Sequence, residues 1–202
     1  MPATRDLSDI ETATLGLFLE TRFMAPSIQG LDLQARVCGP ALTIRMSGDD
    51  GAPLVEALSG ARPCQVIVID RCGDLRHACW GAVTSAAAQT RGVVGSVIDG
   101  FVTDRSAKLA ANFPVWCRGR SPVTTKPRGL GGEVNVAVNC GGLAVRPGDI
   151  VLVDENGVVV LDPAKAADHV ARARQMQTDE TAILARLKAG ETMAEITRAR
   201  AT

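Results

Sequence analysis

Gln65-Val66-Ile67-Val68-Ile69-Asp70 and Val93-Val94-Gly95-Ser96-Val97-Ile98-Asp99-Gly100 decide how this chain folds. Both are apolar runs ending in aspartate. The segment between them, Leu75 to Arg91, is rich in alanine and spaced like an amphipathic helix. A strand, a crossover helix and a parallel strand place Asp70 and Asp99 on the same edge of one sheet. Open α/β folds receive ligands outside that edge. Asp104 follows past a glycine and adds another carboxylate. The sequence therefore predicts an acidic, oxygen-rich pocket at the sheet edge.

Around this unit the pattern is mixed. Ser8 to Glu20 has helical spacing behind a capping serine, and Ala41-Leu42-Thr43-Ile44-Arg45 reads as a strand entered by the turn Gly39-Pro40. Pro53 to Leu58 suits a short helix with proline in its first turn. A helix is expected over Asp104 to Ala111, then a strand at Val115-Trp116-Cys117. Beyond it, Val134 to Val138 alternates with period two, and short apolar runs at 143–145, 150–153 and 158–161 follow. Asn156-Gly157 between the last two is a hairpin turn signal. The tail from Pro163 is polar helix with a thin apolar stripe through Val170, Met176, Ile183, Leu184 and Leu187, suited to packing. With no repeats or low-complexity linker, the expectation is a single α/β domain over 1–202, its helical tail spanning 163–202.

Composition narrows the function. In 202 residues, 46% are apolar and only 3% aromatic, so aliphatic side chains must fill the core. Net charge is zero, which argues against general affinity for nucleic acid or anionic membrane. No apolar run is long enough to span a bilayer and the start does not resemble a signal peptide, so a cytoplasmic protein is expected. Six cysteines include no C-x-x-C pair and read as buried small hydrophobes, with Cys72 and Cys79 flanking the expected pocket. Two histidines, His77 and His169, lie on separate elements, which excludes H-E-x-x-H zinc chemistry. Gly129-Leu130-Gly131-Gly132 leads into a strand, so it is no dinucleotide loop. No glycine-rich loop for S-adenosylmethionine follows an early strand, and no lysine lies in an apolar setting suited to Schiff-base work.

Carboxylate plus helix terminus remains. Aspartate and water suit Mg²⁺ or Mn²⁺. Trp80-Gly81-Ala82-Val83-Thr84 lies early in the helical region, and a helix starting near Gly81 would offer free N–H groups to a carboxylate or enolate oxygen. Together they suit 2-oxo acids, whose enolates need positive charge nearby. The plainer reading is that Asp104 caps a helix, Asp99 fixes a turn, Asp149, Asp154 and Asn156 serve turns, and Arg118, Arg120 and Arg128 are solvated surface.

The landmarks Gly39-Pro40-Ala41-Leu42-Thr43, Ala78-Cys79-Trp80-Gly81, Gly92-Val93-Val94-Gly95, Val97-Ile98-Asp99-Gly100, Phe113-Pro114-Val115, Cys140-Gly141-Gly142, Pro147-Gly148-Asp149 and Asp154-Glu155-Asn156-Gly157-Val158 run over nearly the whole chain. In this order and spacing the chain resembles the RraA-like family, which includes metal-dependent 4-hydroxy-4-methyl-2-oxoglutarate aldolases and the regulator of ribonuclease E activity. The resemblance implies a β/β/α sandwich of the swivelling-domain kind, assembled as a homotrimer or hexamer. It implies Asp104 as ligand of a divalent metal and the Gly81, Ala82, Val83 and Thr84 amides as the seat of a pyruvate carboxylate. The family's enolate-steadying arginine falls at Thr103, and its water-orienting acid falls at Ala82. Arg105 or Thr103 itself, at the substrate enolate, would stand in for the arginine, and Glu133 from a neighbouring subunit would stand in for the acid. The implied activity is a lyase reaction on a short 2-oxo acid, aldol cleavage or oxaloacetate decarboxylation. The alternative is a non-catalytic regulator that binds a ribonuclease.

Overall fold

A computed structural model describes residues 7, 9–32, 34–106 and 112–200. In chain order its elements are α1 (Thr12–Gly16), β1 (Gln29–Gly30), β2 (Val37–Arg45), α2 (Ala52–Gly60), β3 (Val66–Asp70), β4 (Ala78–Trp80), α3 (Ala82–Thr90), β5 (Gly95–Val102) and β6 (Val115–Arg120). They continue with β7 (Glu133–Val134), β8 (Val138–Cys140), β9 (Leu143–Val145), β10 (Ile150–Asp154), β11 (Gly157–Leu161), α4 (Ala166–Lys188) and α5 (Met193–Arg200).

The main sheet runs β1-β6-β5-β3-β2-β10-β11, with β4 added beside β5 and β7 beside β2. β2, β3, β5 and β6 are parallel neighbours, and β10 and β11 form the antiparallel hairpin expected from Asn156-Gly157. Alternation along each central strand divides the core. Ile67, Ile69 and Ile98 point to one face with Leu54, Ala57 and Ala88 of α2 and α3. Val66, Val68 and Val97 point to the other, beneath the β8–β9 hairpin with Val138, Cys140 and Val145. Further along the helical face, Leu15 of α1 and Val170 and Ala173 of α4 pack on Leu152 and Val159. Hairpin, sheet and helices make the β/β/α arrangement.

Three expectations shift. The crossover predicted as one helix from Leu75 to Arg91 is a loop, the short strand β4 and then α3. Ala78, Cys79 and Trp80 are all buried, and as a strand they extend the sheet beside β5, which a helix could not do. The alternating run Val134 to Val138 splits between β7 and β8, with Asn135 at φ +58 where the chain leaves the main sheet for the hairpin layer. The N-terminal helix is only one turn, Thr12–Gly16, and Ser8 lies outside the described residues. The helix expected over Asp104 to Ala111 falls mostly on 107–111, which also lie outside them. No described helix is long and apolar enough to cross a membrane.

The largest correction concerns the acidic edge. Asp70 and Asp99 are register partners on adjacent parallel strands, as the sequence predicts. Counting by twos from Val66 and Val97 nevertheless puts both on the hairpin face. There Asp70 accepts the N–H groups of Cys72 at 2.7 Å and Asn139 at 3.1 Å. Asp99 accepts the Gly141 N–H at 2.7 Å and pairs with Arg118, which also donates to Ser27. These carboxylates fasten the β8–β9 hairpin onto the sheet and do not line a common pocket with Asp104. Replacing Asp99 by alanine leaves the Arg118 guanidinium without its carboxylate and a hairpin N–H unpaired, at a cost of about 1–3 kcal/mol. Urea unfolding should show that loss, and amide exchange should quicken around residues 139–141.

Candidate functional site

On the opposite, helical face a cavity of about 690 Å³ lies between α2, β4 and α3. Its floor is Ala78, Cys79 and Trp80, and its polar end holds Gly81, Ala82, Val83, Thr84, Thr103 and Asp104. The five residues expected to form the carboxylate and metal seat, together with Thr103, thus line one concave space. Trp80 fixes that end: it is 1% exposed, stacks on Phe113 at 5.7 Å, and its Nε1 donates to Ser85 of α3 at 2.9 Å. The strand and the first turn of the helix are therefore locked together.

The start of α3 leaves its first N–H groups without intrahelical acceptors. Asp104 takes that of Ala82 at 3.1 Å, and Thr103 donates its hydroxyl to the other Asp104 oxygen at 3.3 Å. Val83 and Thr84 find no acceptor for theirs among the described residues. Asp104 reaches this position through a left-handed backbone, φ +53. Gly81 makes room for it: a Cβ there would stand 2.7 Å from the Asp104 Oδ2. A carboxylate and an electropositive helix start therefore share one corner of the cavity.

That donor set suits a hard cation. One carboxylate with water around it is the common arrangement for Mg²⁺, and the described residues contain no group of three His, Cys, Asp or Glu that would make an all-protein cage. Cys79, on the cavity floor, is no nucleophile, because burial pushes its thiol up to about 11. His77 turns to Asp74, with Nδ1 2.8 Å from the carboxylate, and so activates neither Cys72 nor Cys79.

Two of the candidate replacements lie elsewhere. Arg105 donates to the Leu31 carbonyl at 3.2 Å and does not line the cavity. Glu133, on β7, pairs with Arg45 at 2.5 Å, also outside the cavity of its own chain. Arg118, on β6, and Arg128 were expected as solvated surface, but Arg118 serves Asp99 and Arg128 pairs with Asp49 at 2.7 Å.

The sequence reading missed one wall. The segment 121–130 crosses the cavity mouth as a strap, contributing Thr124, Thr125 and Pro127. Backbone bonds tie it to β4 (Thr125 N–H to Ala78 O, 3.0 Å) and to the turn before α2 (Lys126 N–H to Asp49 O, 2.8 Å). Its far half hangs on Asp50. That side chain is 2% exposed, and it accepts N–H groups from Arg128 at 2.9 Å, Gly129 at 3.3 Å and Leu130 at 2.5 Å. It also accepts the Ala52 N–H at 2.9 Å, at the start of α2. One carboxylate thus joins a cavity helix to the strap. These amide bonds, Ala52's foremost, favour the carboxylate and pull its pKa down to about 2. The signal was present in Asp50-Gly51-Ala52-Pro53, an aspartate two residues before a proline-started helix turn.

A family model for RraA-like proteins, described as Aldolase/RraA, matches residues 3–160. A protein of Halalkalibacterium halodurans provisionally named 4-hydroxy-4-methyl-2-oxoglutarate aldolase is 35% identical over 159 residues, 79% of this chain and 75% of that one. Among solved structures, an uncharacterized protein from Pseudomonas syringae pv. tomato superposes with a TM-score of 0.83 at 26% identity, over 95% of this chain and 94% of its own. Streptomyces coelicolor RraAS2, described as an unusual member of the RNase ES inhibitor RraA family, superposes at 0.76 with 28% identity, over 88% and 93%.

Asp50→Asn keeps the size of the side chain but removes the charge that three strap amides share. Trypsin should then cut after Arg128 at least about tenfold faster than in wild type, as the strap opens locally. In wild type the Asp50 carboxyl is depressed from 3.8 to about 2. Its contribution is therefore complete above about pH 4 and is lost as pH falls toward 2. Cleavage by an acid protease across that interval should rise in wild type and stay flat in the variant.

Proposed function

The chain belongs to the RraA-like family, and we propose that this member is a divalent-metal-dependent carbon–carbon lyase acting on a short 2-oxo acid. The observation carrying this reading is the shared corner: the Asp104 carboxylate lies 3.1 Å from the Ala82 N–H, beside the open amides of Val83 and Thr84 in a single cavity. A relative provisionally named as an aldolase supports the reaction class.

Asp104 would hold the metal, directly or through water, and Thr103 steadies that carboxylate by its hydroxyl. Bound there, Mg²⁺ or Mn²⁺ supplies positive charge to the oxygens of the 2-oxo acid. The Val83 and Thr84 amides receive the substrate carboxylate, where the start of α3 is electropositive. When the bond from C3 breaks, its electron pair moves toward the 2-oxo oxygen, and the same helix start favours that charge. Trp80 and Leu54 keep the adjoining surface apolar. Without an arginine at 103 or an acid at 82, this chain lacks two side chains that the resemblance assigns to proton transfer and enolate binding. Each such preorganised group contributes about a hundred- to a thousandfold in rate, so turnover slower than in a fully equipped aldolase is expected. In the homotrimer that the resemblance implies, Glu133 of one copy, paired with Arg45 in its own chain, would be the acid offered to a neighbour's cavity.

Purified protein should release pyruvate from oxaloacetate or from 4-hydroxy-2-oxo acids, and Mg²⁺ or Mn²⁺ should stimulate the release. Asp104→Ala should lower it at least about a hundredfold and abolish Mn²⁺ binding measured by electron paramagnetic resonance. Gly81→Ala, whose Cβ would collide with the same carboxylate, should weaken metal binding while the circular dichroism spectrum stays native. Wild type that binds metal yet releases no pyruvate from any of these acids would leave the ribonuclease-binding regulator as the better reading.

A further inference from the structure

We infer that Ser85 is a positioning residue for the carboxylate seat: its hydroxyl, held by the Trp80 indole, orients the first turn of α3 without consuming the N–H groups that meet substrate. This inference rests on the lyase reading above and adds to it a residue that does not itself line the cavity.

A helix commonly begins on a serine, threonine, aspartate or asparagine whose side chain accepts an N–H from the first turn. Here that place is taken by Gly81, and no side chain caps α3 from it. The turn is held instead from its carbonyl side. The Ser85 hydroxyl donates to the Gly81 carbonyl at 3.0 Å, beside the Ser85 N–H, also at 3.0 Å. The same hydroxyl oxygen accepts the Trp80 Nε1–H at 2.9 Å. Serine and indole are each 1% exposed, so water does not compete for these bonds.

Peptide planarity carries the restraint across to the donor side. The Gly81 carbonyl and the Ala82 N–H belong to one trans peptide unit and point in opposite directions. Fixing the carbonyl therefore aims the N–H, which Asp104 accepts at 3.1 Å. The Val83 and Thr84 amides follow in the same turn and share its direction. A side-chain cap would have occupied one of these donors; the Ser85 hydroxyl occupies none.

Trp80 supplies the fixed reference. Its ring stacks on Phe113 with 15° between the planes, and its carbonyl accepts the Thr103 N–H at 2.9 Å. One residue thus locates both halves of the corner, the α3 amides through its indole and the approach to Asp104 through its carbonyl. Helix formation alone gives little reason for serine at 85. It ranks below alanine inside helices, and a hydroxyl bonded back to the i−4 carbonyl tends to bend them.

Titrating the full chain with pyruvate in the presence of Mg²⁺, followed by amide NMR, tests the inference without requiring turnover. In wild type the Val83 and Thr84 amide signals and the Trp80 indole signal should move together. The Trp116 indole, which donates to the Asp154 carbonyl at 3.0 Å and packs on the hairpin face, should stay still. Ser85→Ala should weaken pyruvate binding about five- to tenfold, the scale of one lost hydrogen bond, and leave the Trp80 indole signal unresponsive. Its Mn²⁺ affinity, measured by electron paramagnetic resonance, should be unchanged, because Asp104 keeps the Thr103 hydroxyl. Ser85→Thr retains a hydroxyl that can reach the i−4 carbonyl and should bind pyruvate as wild type does. Ser85→Ala that unfolds at lower urea yet binds pyruvate normally would assign the hydroxyl to stability alone. That result, or equal losses in both variants, would overturn this inference and leave the lyase reading standing. Pyruvate that moves neither the Val83 nor the Thr84 signal in wild type would overturn both.

Discussion

The close approach of Asp104 to the first turn of α3 is the constraint on which the site depends. A carboxylate beside the positive end of a helix is favourable by itself, yet here it needs a residue without a side chain at position 81 and a left-handed backbone at 104. Gly81 has φ −141, an extended conformation open to any residue, so its role is space and not backbone freedom. Asp104, by contrast, adopts a conformation that most side chains avoid. Such a residue persists where the surroundings over-determine it, and Thr103, Ala82 and the β4–β5 pairing do so.

Two carboxylates organise the cavity from opposite sides. Asp104 governs the end at the start of α3, and Asp50 governs the mouth. Both use backbone N–H groups as partners, but to different ends. Asp50 is sealed in and saturated with amide donors, so its charge is committed to structure. Asp104 accepts one amide and one hydroxyl, which leaves lone pairs for a cation.

The sequence made the central strands legible because long apolar runs bounded by turn residues have few other readings. The parallel pairing of Val66–Asp70 with Gly95–Asp99 follows from the crossover alone. Which face each aspartate occupies did not follow from the motif. Asp70 and Asp99 share a parity with Val68 and Val97, while Asp104 lies past an irregularity in the β5–β6 pairing between Ile98 and Phe101 and belongs to the other side. Strand β4 was hidden because three buried residues between His77 and Gly81 carry no period of their own, and α3 begins two residues later. The strap was unreadable because it has almost no regular structure, and its position is set by Asp50, more than seventy residues earlier in the chain. That Gly81 to Thr84 and Asp104 share one cavity was legible because the motifs that carry them are local.

Separating the two faces has a consequence for variation in this protein. The hairpin layer is clipped on through Asp70 and Asp99, and the corner shared by Asp104 and α3 lies behind a sheet whose inner residues Val68, Ile69, Val97 and Ile98 are fully shielded from solvent. Loops on the clipped side can lengthen, shorten or acquire new surface chemistry while the opposite side keeps its geometry. The sheet works as a bulkhead, so novelty in recognition and constancy in reactivity can be inherited separately.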